Sequence, residues 1–419
     1  MTDHAPYTSP LAAELGPDVR DRFLRYVTID TQSDPDSSEF PSTAKQLDLS
    51  RMLVDELQEL GVTDARLEDG YVMASLDGTG STVVALLAHV DTTSDAPGAG
   101  VKPRLIENYD GGDITYDAAP GLLLSPVESP DLRAQKGRDV ITTDGTTLLG
   151  ADDKAGVAAI MTAVHYLHAH ADAPRPPLRI CFTPDEEVGK GISHLDLDAL
   201  GAEVAYTLDG STAGTIEDES FSADEMIVRF TGRQTHPGTA KDKMVNAMRL
   251  AGRFLDALPY AEAPETTSDR EGFVHPYSIE GAVSEVTLRL ILRDFDTGVL
   301  EERGRRMTKL AEATAAPFTD ASVEVTITEQ YRNMKDHLRE RPEVAGIAVR
   351  AIETAGLKPI QGFIRGGTDG SMLTAKGLPT PNLFTGMHDI HSLKEWVSVQ
   401  DMADSAATIV HLVRAWSKL

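Results

Sequence analysis

Residues 81–91, STVVALLAHVD, carry the strongest fold signal in the chain, because an almost unbroken apolar run ends in a histidine and an aspartate. An apolar run of this kind is typical of a central strand that is covered on both faces. His89 and Asp91 are two residues apart, so their side chains lie on the same side of an extended chain. The segment therefore predicts a buried strand that ends in two polar side chains suited to a functional site.

Around this strand, the sequence alternates between helix-like and strand-like segments. Residues 43–61 have apolar side chains at helical spacing and stop at Gly61, a natural helix end. Residues 155–170, AGVAAIMTAVHYLHAH, are also predicted to be helical, whereas residues 176–189 and 204–210 are predicted strands that run into loops. Such alternation predicts an α/β domain.

A second type of pattern interrupts the α/β domain. It reads strand-helix-strand-helix-strand over about 110 residues, which is a normal domain size. The α/β pattern then returns and ends in a predicted helix from Ser398 to Lys418. The predicted fold is a discontinuous α/β catalytic domain (residues 1–218 and 333–419), with a central mixed sheet flanked by helices, and an inserted α+β domain (residues 219–332).

The composition limits the classes of partner. The 419 residues carry a net charge of −27, which repels phosphate backbones and anionic lipids, so nucleic acid and membrane partners are not expected. No apolar run approaches the ~20 residues of a membrane helix, and the N-terminus lacks the pattern of a secretory signal. The lone cysteine, Cys181, excludes an internal disulfide and favours a reducing cytoplasm. We expect Cys181 to be a buried apolar residue.

Five segments combine histidine, aspartate and glutamate near predicted strand ends or helix starts. Ligands bind beyond the carboxyl ends of strands in open α/β sheets. Imidazole and carboxylate together suit zinc, cobalt or manganese, and two divalent cations about 3.5–4 Å apart would keep the clustered carboxylates ionised. The candidate side chains are His89 and Asp91 (AHVD), Asp152 and Asp153 (LLGADDKAG), Asp185, Glu186 and Glu187 (FTPDEEVG), Asp209 (AYTLDG), and His388 and His391 (MHDIHSLKE).

Each of these segments is a weak signal by itself. Paired acids are more often helix caps or solvated turns, and an aspartate before glycine, such as Asp209, is common in turns. The interpretation as a metal site depends on the agreement of all five segments. Because a carboxylate that binds no metal could accept a proton from a clamped water, Glu186 and Glu187 can divide the roles of base and ligand.

The order of the motifs resembles that of the peptidase T family. This family belongs to a group of dinuclear zinc exopeptidases and deacylases that includes carboxypeptidase G, and the resemblance covers nearly the whole chain. It implies a cytoplasmic aminopeptidase of peptide catabolism that removes the N-terminal residue from short peptides, tripeptides above all. It also implies two Zn²⁺ per subunit, which Co²⁺ or Mn²⁺ can replace. The matching motifs are AHVDT, LLGADDKAG, FTPDEEVG, AYTLDG, RQTHPGTAKDKMVNA, RDFD, IRGGTDGS and HSLKE.

The resemblance implies a metal ligand set in which one carboxylate bridges two cations and is followed by a cis peptide bond. The implied ligands are His89 and Asp209 for one cation, Glu187 and His391 for the other, and Asp152 as the bridge. His391 is preferred to His388 because the family pattern places a glutamate, here Glu395, four residues after the ligand histidine.

Two further acids receive roles in catalysis from the same resemblance. Glu186 would be the general base that activates the water and later protonates the leaving amine. Asp91 would stand behind the site and fix the imidazole of His89.

The inserted domain would be a lid that carries substrate-binding residues. His236 would stabilise the oxyanion, although without the family pattern it is a turn histidine before Pro237. Arg293 and Arg365 would bind the substrate carboxylate, although Arg293 could instead pair with a neighbouring aspartate. Asn246 is a further candidate for this pocket, with helix capping as its alternative.

Three functions remain open at the level of the sequence. The first is the aminopeptidase, and the second is a dipeptidase, carboxypeptidase or N-acyl amino acid deacylase with the same metal site. The third is a non-enzymatic binding protein, which the intact ligand set and base disfavour. Residues 92–147, rich in glycine, proline and aspartate, are predicted to be a long irregular insertion that shapes the amine end of the pocket. The short peptide is the expected partner, and a homodimer is compatible with the resemblance.

Overall fold

The computed structural model describes residues 7–418. The chain folds into two compact units, each with its own sheet. The first unit comprises the chain up to Asp218, His337–Gly362 and the chain from Thr368 onward, and the second comprises Glu219–Asp336 and Phe363–Gly367.

The described residues form the following regular elements. The strands are β1 (Arg66–Glu68), β2 (Tyr71–Leu76), β3 (Val84–His89), β4 (Arg104–Ile106), β5 (Ile114–Thr115), β6 (Leu123–Leu124), β7 (Val140–Thr142), β8 (Leu178–Thr183), β9 (Val204–Gly210), β10 (Thr215–Ser220), β11 (Ser222–Thr231), β12 (Phe273–Gly281), β13 (Glu285–Asp294), β14 (Ser322–Tyr331), β15 (Ile360–Ile364), β16 (Asn382–Phe384), β17 (Met387–His388) and β18 (Trp396–Ser398). The helices are α1 (Pro10–Tyr26), α2 (Gln46–Glu59), α3 (Pro130–Ala134), α4 (Ala151–Ala169), α5 (Leu197–Leu200), α6 (Ala247–Ala257), α7 (Thr297–Ala315), α8 (Met334–Leu338), α9 (Pro342–Thr354), α10 (Asp369–Ala375) and α11 (Val399–Trp416).

An eight-stranded mixed sheet forms the centre of the first unit, in the order β1-β2-β8-β3-β9-β16-β10-β15. Strand β3 runs parallel to β8 and to β9, whereas β2 runs antiparallel to β8. Every residue of β3 is buried, which confirms the central strand predicted from its apolar run. Because β8, β3 and β9 are parallel, their carboxyl ends meet at one edge of the sheet, where a ligand site is expected.

Helices cover both faces of this sheet, which confirms the predicted α/β class. Helices α1, α4, α9 and α11 pack together, and α4 also packs on β3 and β9. The other face is covered by a cluster that includes Leu87, Cys181, Leu200 and Leu373. Cys181 is buried and makes no disulfide, as predicted. Among residues 7–418, no helix combines the length and the apolar character of a transmembrane segment.

The segment 92–147 differs from the irregular insertion that we predicted. It contains strands β4 to β7 and helix α3, and β7 lies in a four-stranded sheet of order β17-β18-β7-β4. Its core includes Tyr109, Tyr116, Leu132 and Trp396. These strands are only two or three residues long, too short to show a periodicity of two, and half of their sheet comes from a distant part of the chain.

The second unit is an antiparallel sheet of order β12-β13-β11-β14, packed against helices α6 and α7. The sequence predicted three strands and missed β12. This strand contains Pro276, and its pairing with β13 shifts register between Pro276 and Ser278. Proline is confined to sheet edges and bulges, and β12 is an edge strand, so its sequence does not resemble that of a central strand.

Two segments that we placed in the catalytic domain belong to the second unit, residues 333–336 and 363–367. The first segment is held in the second unit by Asn333, whose side-chain amide donates a hydrogen bond to the backbone oxygen of Phe295 at 3.0 Å. The second segment is held there by Arg365, whose guanidinium donates hydrogen bonds to the backbone oxygens of Asp269 and Glu271. Both contacts are made by side chains, which sequence periodicity does not report.

Asp404 on helix α11 provides a test of the fold through pH. Burial raises the pKa of this carboxyl to about 7, and from the described residues it accepts a single hydrogen bond, donated by the Thr8 hydroxyl at 2.6 Å. Aspartate in an unfolded chain has a pKa of roughly 4. The folded protein therefore keeps a proton that the unfolded chain releases, and this stabilisation is lost as the pH rises through about 7.

In the Asp404→Asn variant this pH dependence is removed. We expect its melting temperature, measured by calorimetry relative to the wild type, to increase from about pH 4 to about pH 8. The exposed control Asp48→Asn should keep a constant difference from the wild type over the same range. A constant difference for Asp404→Asn would contradict the buried, protonated state of this carboxyl.

Candidate metal centre

Asp152 lies between two histidines at the carboxyl edge of the large sheet. Its Oδ1 is 2.9 Å from Nε2 of His89, and its Oδ2 is 3.2 Å from Nε2 of His391. Each histidine also faces a second carboxylate: Asp209 Oδ1 is 3.7 Å from His89 Nε2, and Glu187 Oε2 is 3.0 Å from His391 Nε2. The five residues thus form two histidine–carboxylate pairs that share one carboxylate.

The two pairs differ in the secondary structure that carries them. His89 ends β3 and Asp209 lies near the end of β9, and these neighbouring strands pair from Val84 to Leu87. Glu187 lies in a single 3₁₀ turn, Glu186–Val188, and His391 lies in a loop with a φ of 59°. The first pair is therefore fixed by the sheet, whereas the second depends on how the loops are held.

Asp152 stands at the start of α4, where the backbone is not helical. Its φ and ψ are −81° and 104°, and the peptide bond to Asp153 is cis. The cis bond is in the position that the family resemblance implied.

Both histidines present Nε2 to the carboxylates. His89 Nδ1 is 3.1 Å from the backbone oxygen of Asp91, and His391 Nδ1 is 3.1 Å from Oδ2 of Asp95. Because a carbonyl or carboxylate oxygen only accepts hydrogen bonds, Nδ1 carries the proton in each ring. Nε2, which faces the carboxylates, is therefore the ring nitrogen at which a cation would replace a proton, and a carboxylate or carbonyl behind the ring is the usual support for a metal-binding histidine.

The carboxylates need positive charge between them. Burial, together with the charge of Asp152, raises the pKa of Asp209 to about 6 and that of Glu187 to about 7. Contacts with Asp152 and Glu187 raise the pKa of His391 to about 11, and although burial opposes it, contacts with Asp152, Asp209 and Asp91 raise the pKa of His89. Protons thus occupy the space between oxygen and nitrogen ligands that two divalent cations would fill.

The donor atoms fit such cations. Oε1 of Glu187 is buried and has no hydrogen-bond partner in the part of the chain that the structure describes, as expected of an oxygen that a cation would bind. His89, Asp152 and Glu187 offer ligand atoms within 4.8 Å of one another. Two nitrogen and several oxygen ligands without a thiolate suit zinc, cobalt or manganese.

Asp153 is near the same atoms but has another task. Together with His89 and Asp209 it forms a second group of ligand atoms within 4.8 Å. However, Asp153 Oδ2 accepts from the backbone N–H of His89 at 3.2 Å, and Oδ1 accepts from that of Gly156 at 3.1 Å. Its two oxygens are thus occupied by backbone groups, so Asp153 supports the position of His89.

Glu186 has a free carboxylate next to the second pair. Within residues 7–418, its side chain has no hydrogen-bond or ion-pair partner. Its backbone N–H donates to Asp91 Oδ1 at 3.0 Å, and its backbone oxygen accepts from the N–H of Gly189 at 2.7 Å. Burial raises its pKa well above the usual value, with added repulsion from Asp209, Asp369 and Glu187. Among the described residues, Glu186 therefore differs from Glu187, whose carboxylate contacts His391.

Asp91 holds more of the site than the sequence indicated. Its Oδ1 lies 3.3 Å from Nδ1 of His89, the contact that we expected. The same carboxylate also accepts from the backbone N–H groups of Glu186 and Glu187, at 3.0 and 3.2 Å. The fully buried carboxylate of Asp91 thus connects His89, a member of the first pair, to the loop that carries Glu187, a member of the second pair.

His388 is separated from the centre by its own packing. Its ring stacks on Trp396 with the ring centroids 4.4 Å apart, and burial lowers its pKa. Of the two histidines that the sequence offered, His391 is the one that contacts Asp152 and Glu187.

Sequence reasoning missed the supports that lie behind the ligands. Asp185 accepts from the backbone N–H of Ser42 at 2.5 Å and from the Gln46 amide at 2.7 Å, which fixes the loop before Glu186. Asn382 accepts from the backbone N–H of Asp209 at 3.0 Å. Their partners are far away in the chain, so the only signal in the sequence was the position of Asp185 beside two candidate acids.

The four predicted substrate-binding residues lie in the second unit. His236 Nδ1 accepts from the backbone N–H of Gly238 at 3.2 Å, so Nε2 carries the ring proton. The Asn246 side chain caps helix α6 through the N–H of Met248 at 2.9 Å, which is the alternative that we considered.

The two arginines of this set differ in what they bind. Arg293 donates to the Tyr331 hydroxyl and lies over the Tyr331 ring, and burial lowers its pKa. Among the described residues it has no carboxylate partner, because Asp294 pairs with Arg303 at 2.8 Å. In contrast, Arg365 donates to the backbone oxygens of Thr267, Asp269 and Glu271 and to the Thr267 hydroxyl, so most of its donors are occupied.

Comparison with known proteins gives a consistent result. Residues 143–415 match peptidase family M20/M25/M40. The chain is 45% identical to peptidase T of Desulfitobacterium hafniense (strain Y51) over 403 residues, which is 96% of this chain and 98% of that protein. Its fold is similar to that of a tripeptidase from Staphylococcus aureus (TM-score 0.75, 22% identity, 96% of this chain and 99% of that chain). It is also similar to that of the aminopeptidase PepT from Bacillus cereus (TM-score 0.72, 23% identity, 96% and 98%).

The two histidines near the C-terminus allow a matched test of the centre. Because His391 contacts both Asp152 and Glu187, we expect His391→Ala to bind one divalent cation tightly where the wild type binds two. His388→Ala removes a ring of the same size that stacks on Trp396, and it should keep two. Metal content after dialysis, measured by mass spectrometry, checks both variants. If His388→Ala lost a cation and His391→Ala did not, that result would contradict the assignment of His391 as a ligand.

Proposed function

Because this chain belongs to peptidase family M20/M25/M40, and within it to peptidase T, it is a metallopeptidase, and we propose that it removes the N-terminal residue from tripeptides. The observation that carries the proposal is the Asp152 carboxylate shared by two histidine–carboxylate pairs, with the free carboxylate of Glu186 next to them in the chain. The similar structures from Bacillus cereus and Staphylococcus aureus are described as an aminopeptidase and a tripeptidase, which supports this substrate class.

The proposed cofactors are two Zn²⁺ per subunit, with Co²⁺ or Mn²⁺ as substitutes. His89 and Asp209 would hold one, Glu187 and His391 would hold the other, and Asp152 would bridge them. When bound, such a pair supplies an activated water and polarises the carbonyl of the peptide bond. The mixture of imidazole and carboxylate ligands supports this choice of metals.

The residues of the chain would then manage protons and charge. Glu186 takes a proton from the attacking water and returns it to the amine of the leaving group, a task for which a raised pKa is suited. Asp91 keeps Glu186 in place through its backbone N–H. His236 has its ring proton on Nε2, so it is able to donate to the oxyanion that forms.

The proposed site for the substrate carboxylate is Arg293. Its guanidinium is half-buried and has no carboxylate partner between residues 7 and 418, so it attracts an anionic group, and its fork binds a carboxylate through two hydrogen bonds. Arg365 is a weaker candidate, because its donors are bonded to backbone oxygens. The side-chain oxygen of Asn246 caps α6, so its side-chain N–H₂ group is the part that would bind the substrate carboxylate.

The remaining parts of the proposal concern partners and location. A short peptide is the proposed partner, and the net charge of −27 argues against nucleic acid or anionic lipid. We propose that the second unit acts as the lid and that the protein works in the cytoplasm, where a buried reduced cysteine is normal. A homodimer is compatible with this proposal.

The substrate class is tested with three peptides of related sequence. We expect a free tripeptide to lose its first residue, its N-acetylated form to resist cleavage, and the matching dipeptide to react more slowly. The products are identified by mass spectrometry. Release of acetate would instead indicate a deacylase, release of the last residue a carboxypeptidase, and preference for the dipeptide a dipeptidase.

The role of Glu186 is tested by changing only its ability to accept a proton. We expect Glu186→Gln to reduce kcat by about 10²–10⁴-fold, the usual contribution of a general base, while both cations stay bound. Glu187→Gln, the neighbouring control, should lose affinity for one cation because it changes a ligand. Turnover near the wild-type rate in Glu186→Gln would remove this residue from the mechanism.

Arg293 is tested with a tripeptide and its C-terminal amide. If the guanidinium binds the carboxylate, we expect Arg293→Ala to raise KM for the free acid by about 10-fold or more, as for a charged hydrogen bond of roughly 1.5–3 kcal/mol. The KM for the amide should change little. Equal effects on the two substrates would show that Arg293 does not bind the carboxylate.

A further inference from the structure

Glu395 is a buried carboxylate that touches neither histidine, yet it bonds to the backbone of the bridging ligand. Its Oε2 accepts from the N–H groups of Leu149 and Gly150, at 2.7 and 2.8 Å, and its Oε1 accepts from the N–H of Asp152 at 3.0 Å. The residue is 2% exposed. Three backbone hydrogen bonds to one buried carboxylate are a strong link, because bonds to a charged acceptor are about twice as strong as neutral ones.

These bonds satisfy a helix start that has no cap of its own. Gly150 stands at the N-cap position of α4, in a left-handed conformation with a φ of 78°, and no side chain at this position caps the helix. The first N–H groups of a helix lack partners within it and must be satisfied from elsewhere. Glu395, more than 240 residues later in the chain, accepts from one of these groups, the N–H of Asp152, and from the N–H groups of Leu149 and Gly150 just before the helix.

The segment that carries Glu395 also carries His391. The backbone N–H of Glu395 donates to Ser392 at 3.3 Å, and its backbone oxygen accepts from the Thr142 hydroxyl at 2.9 Å. Strand β18 follows directly and pairs with β7. The bonds from Glu395 to Asp152 therefore join two loops, each of which presents one ligand to the second cation.

The two cation positions depend on this link to different degrees. His89 and Asp209 stand on paired strands of the central sheet, and the backbone N–H of His89 is held by Asp153. Glu187 and His391 stand on loops. Loss of the Glu395 link should thus change the distance between His391 and Asp152 more than the distance between His89 and Asp209.

We propose that Glu395 is a positioning residue that sets the second cation site, by locking the backbone of Asp152 to the segment that carries His391. It acts through its hydrogen bonds to three N–H groups and makes no contact with cation or substrate. This role rests on the proposed dinuclear function and adds to it: one cation site is built into the sheet, and the other is assembled by a side chain from the C-terminal part of the chain.

The test compares cation binding in three proteins by equilibrium dialysis of the metal-free chain against Zn²⁺. Glu395→Gln keeps the shape of the side chain but turns an N–H₂ group toward backbone N–H donors. We expect its weaker binding constant to fall by about 10–100-fold, which is typical of lost support behind a metal ligand, while the tighter constant stays within about 3-fold. Asp404→Asn changes another buried carboxylate, one that accepts a hydrogen bond from Thr8, and should keep both constants.

The catalytic activity of Glu395→Gln provides a second test. At a saturating zinc concentration, kcat of Glu395→Gln should return toward that of the wild type, because the ligands themselves are intact. If Glu395 were only a helix cap, the variant would melt at a lower temperature with both binding constants unchanged, and that result overturns the proposal. An equal fall in both constants also overturns it.

A shorter acid covers the case in which Glu395→Gln does not fold. Glu395→Asp keeps the charge but is one methylene shorter, so it reaches fewer of the three N–H groups, and we expect a smaller loss at the same cation. Wild-type constants in Glu395→Asp would contradict the role. A wild type that binds a single cation would contradict the proposed dinuclear function itself, which separates the two failures.

Discussion

The site depends on a single carboxylate whose two oxygens face two different imidazoles. Asp152 stands at the start of α4, where its backbone is not helical, and its Oδ1 faces His89 while its Oδ2 faces His391. Around it lie acids that repel one another unless positive charge separates them. Three features of the first unit hold these groups together: parallel strands that end at one edge, side chains that bond to the loops, and a carboxylate that accepts from the backbone at the start of α4.

The contacts that support the ligand residues join positions at increasing distances along the chain. His89 and Asp91 are two residues apart, and the backbone N–H groups of Glu186 and Glu187 reach Asp91 across almost 100 residues. Glu395 reaches Asp152 across 243 residues.

The sequence predicted the fold class, because the run that ends in His89 is typical of a covered strand. The ligand set came from the family resemblance and stays a prediction, and the five side chains that it names lie together. Strand β12 was not predicted, because Pro276 and an exposed edge position give it no clear pattern. The strands of residues 92–147 were missed because each has two or three residues and pairs with partners from elsewhere. The hydrogen bonds of Asp185, Asn382 and Glu395 were out of reach, since they join side chains to backbone groups whose proximity exists only in the folded chain.

The most direct test of the account is the location of the cations themselves. Anomalous scattering at the zinc edge, from crystals of the zinc-loaded protein, should show two peaks about 3.5–4 Å apart, one beside His89 and Asp209 and the other beside His391 and Glu187, with Asp152 between them. A single peak, or a second peak that is not bridged by Asp152, would contradict the shared carboxylate on which the site is built.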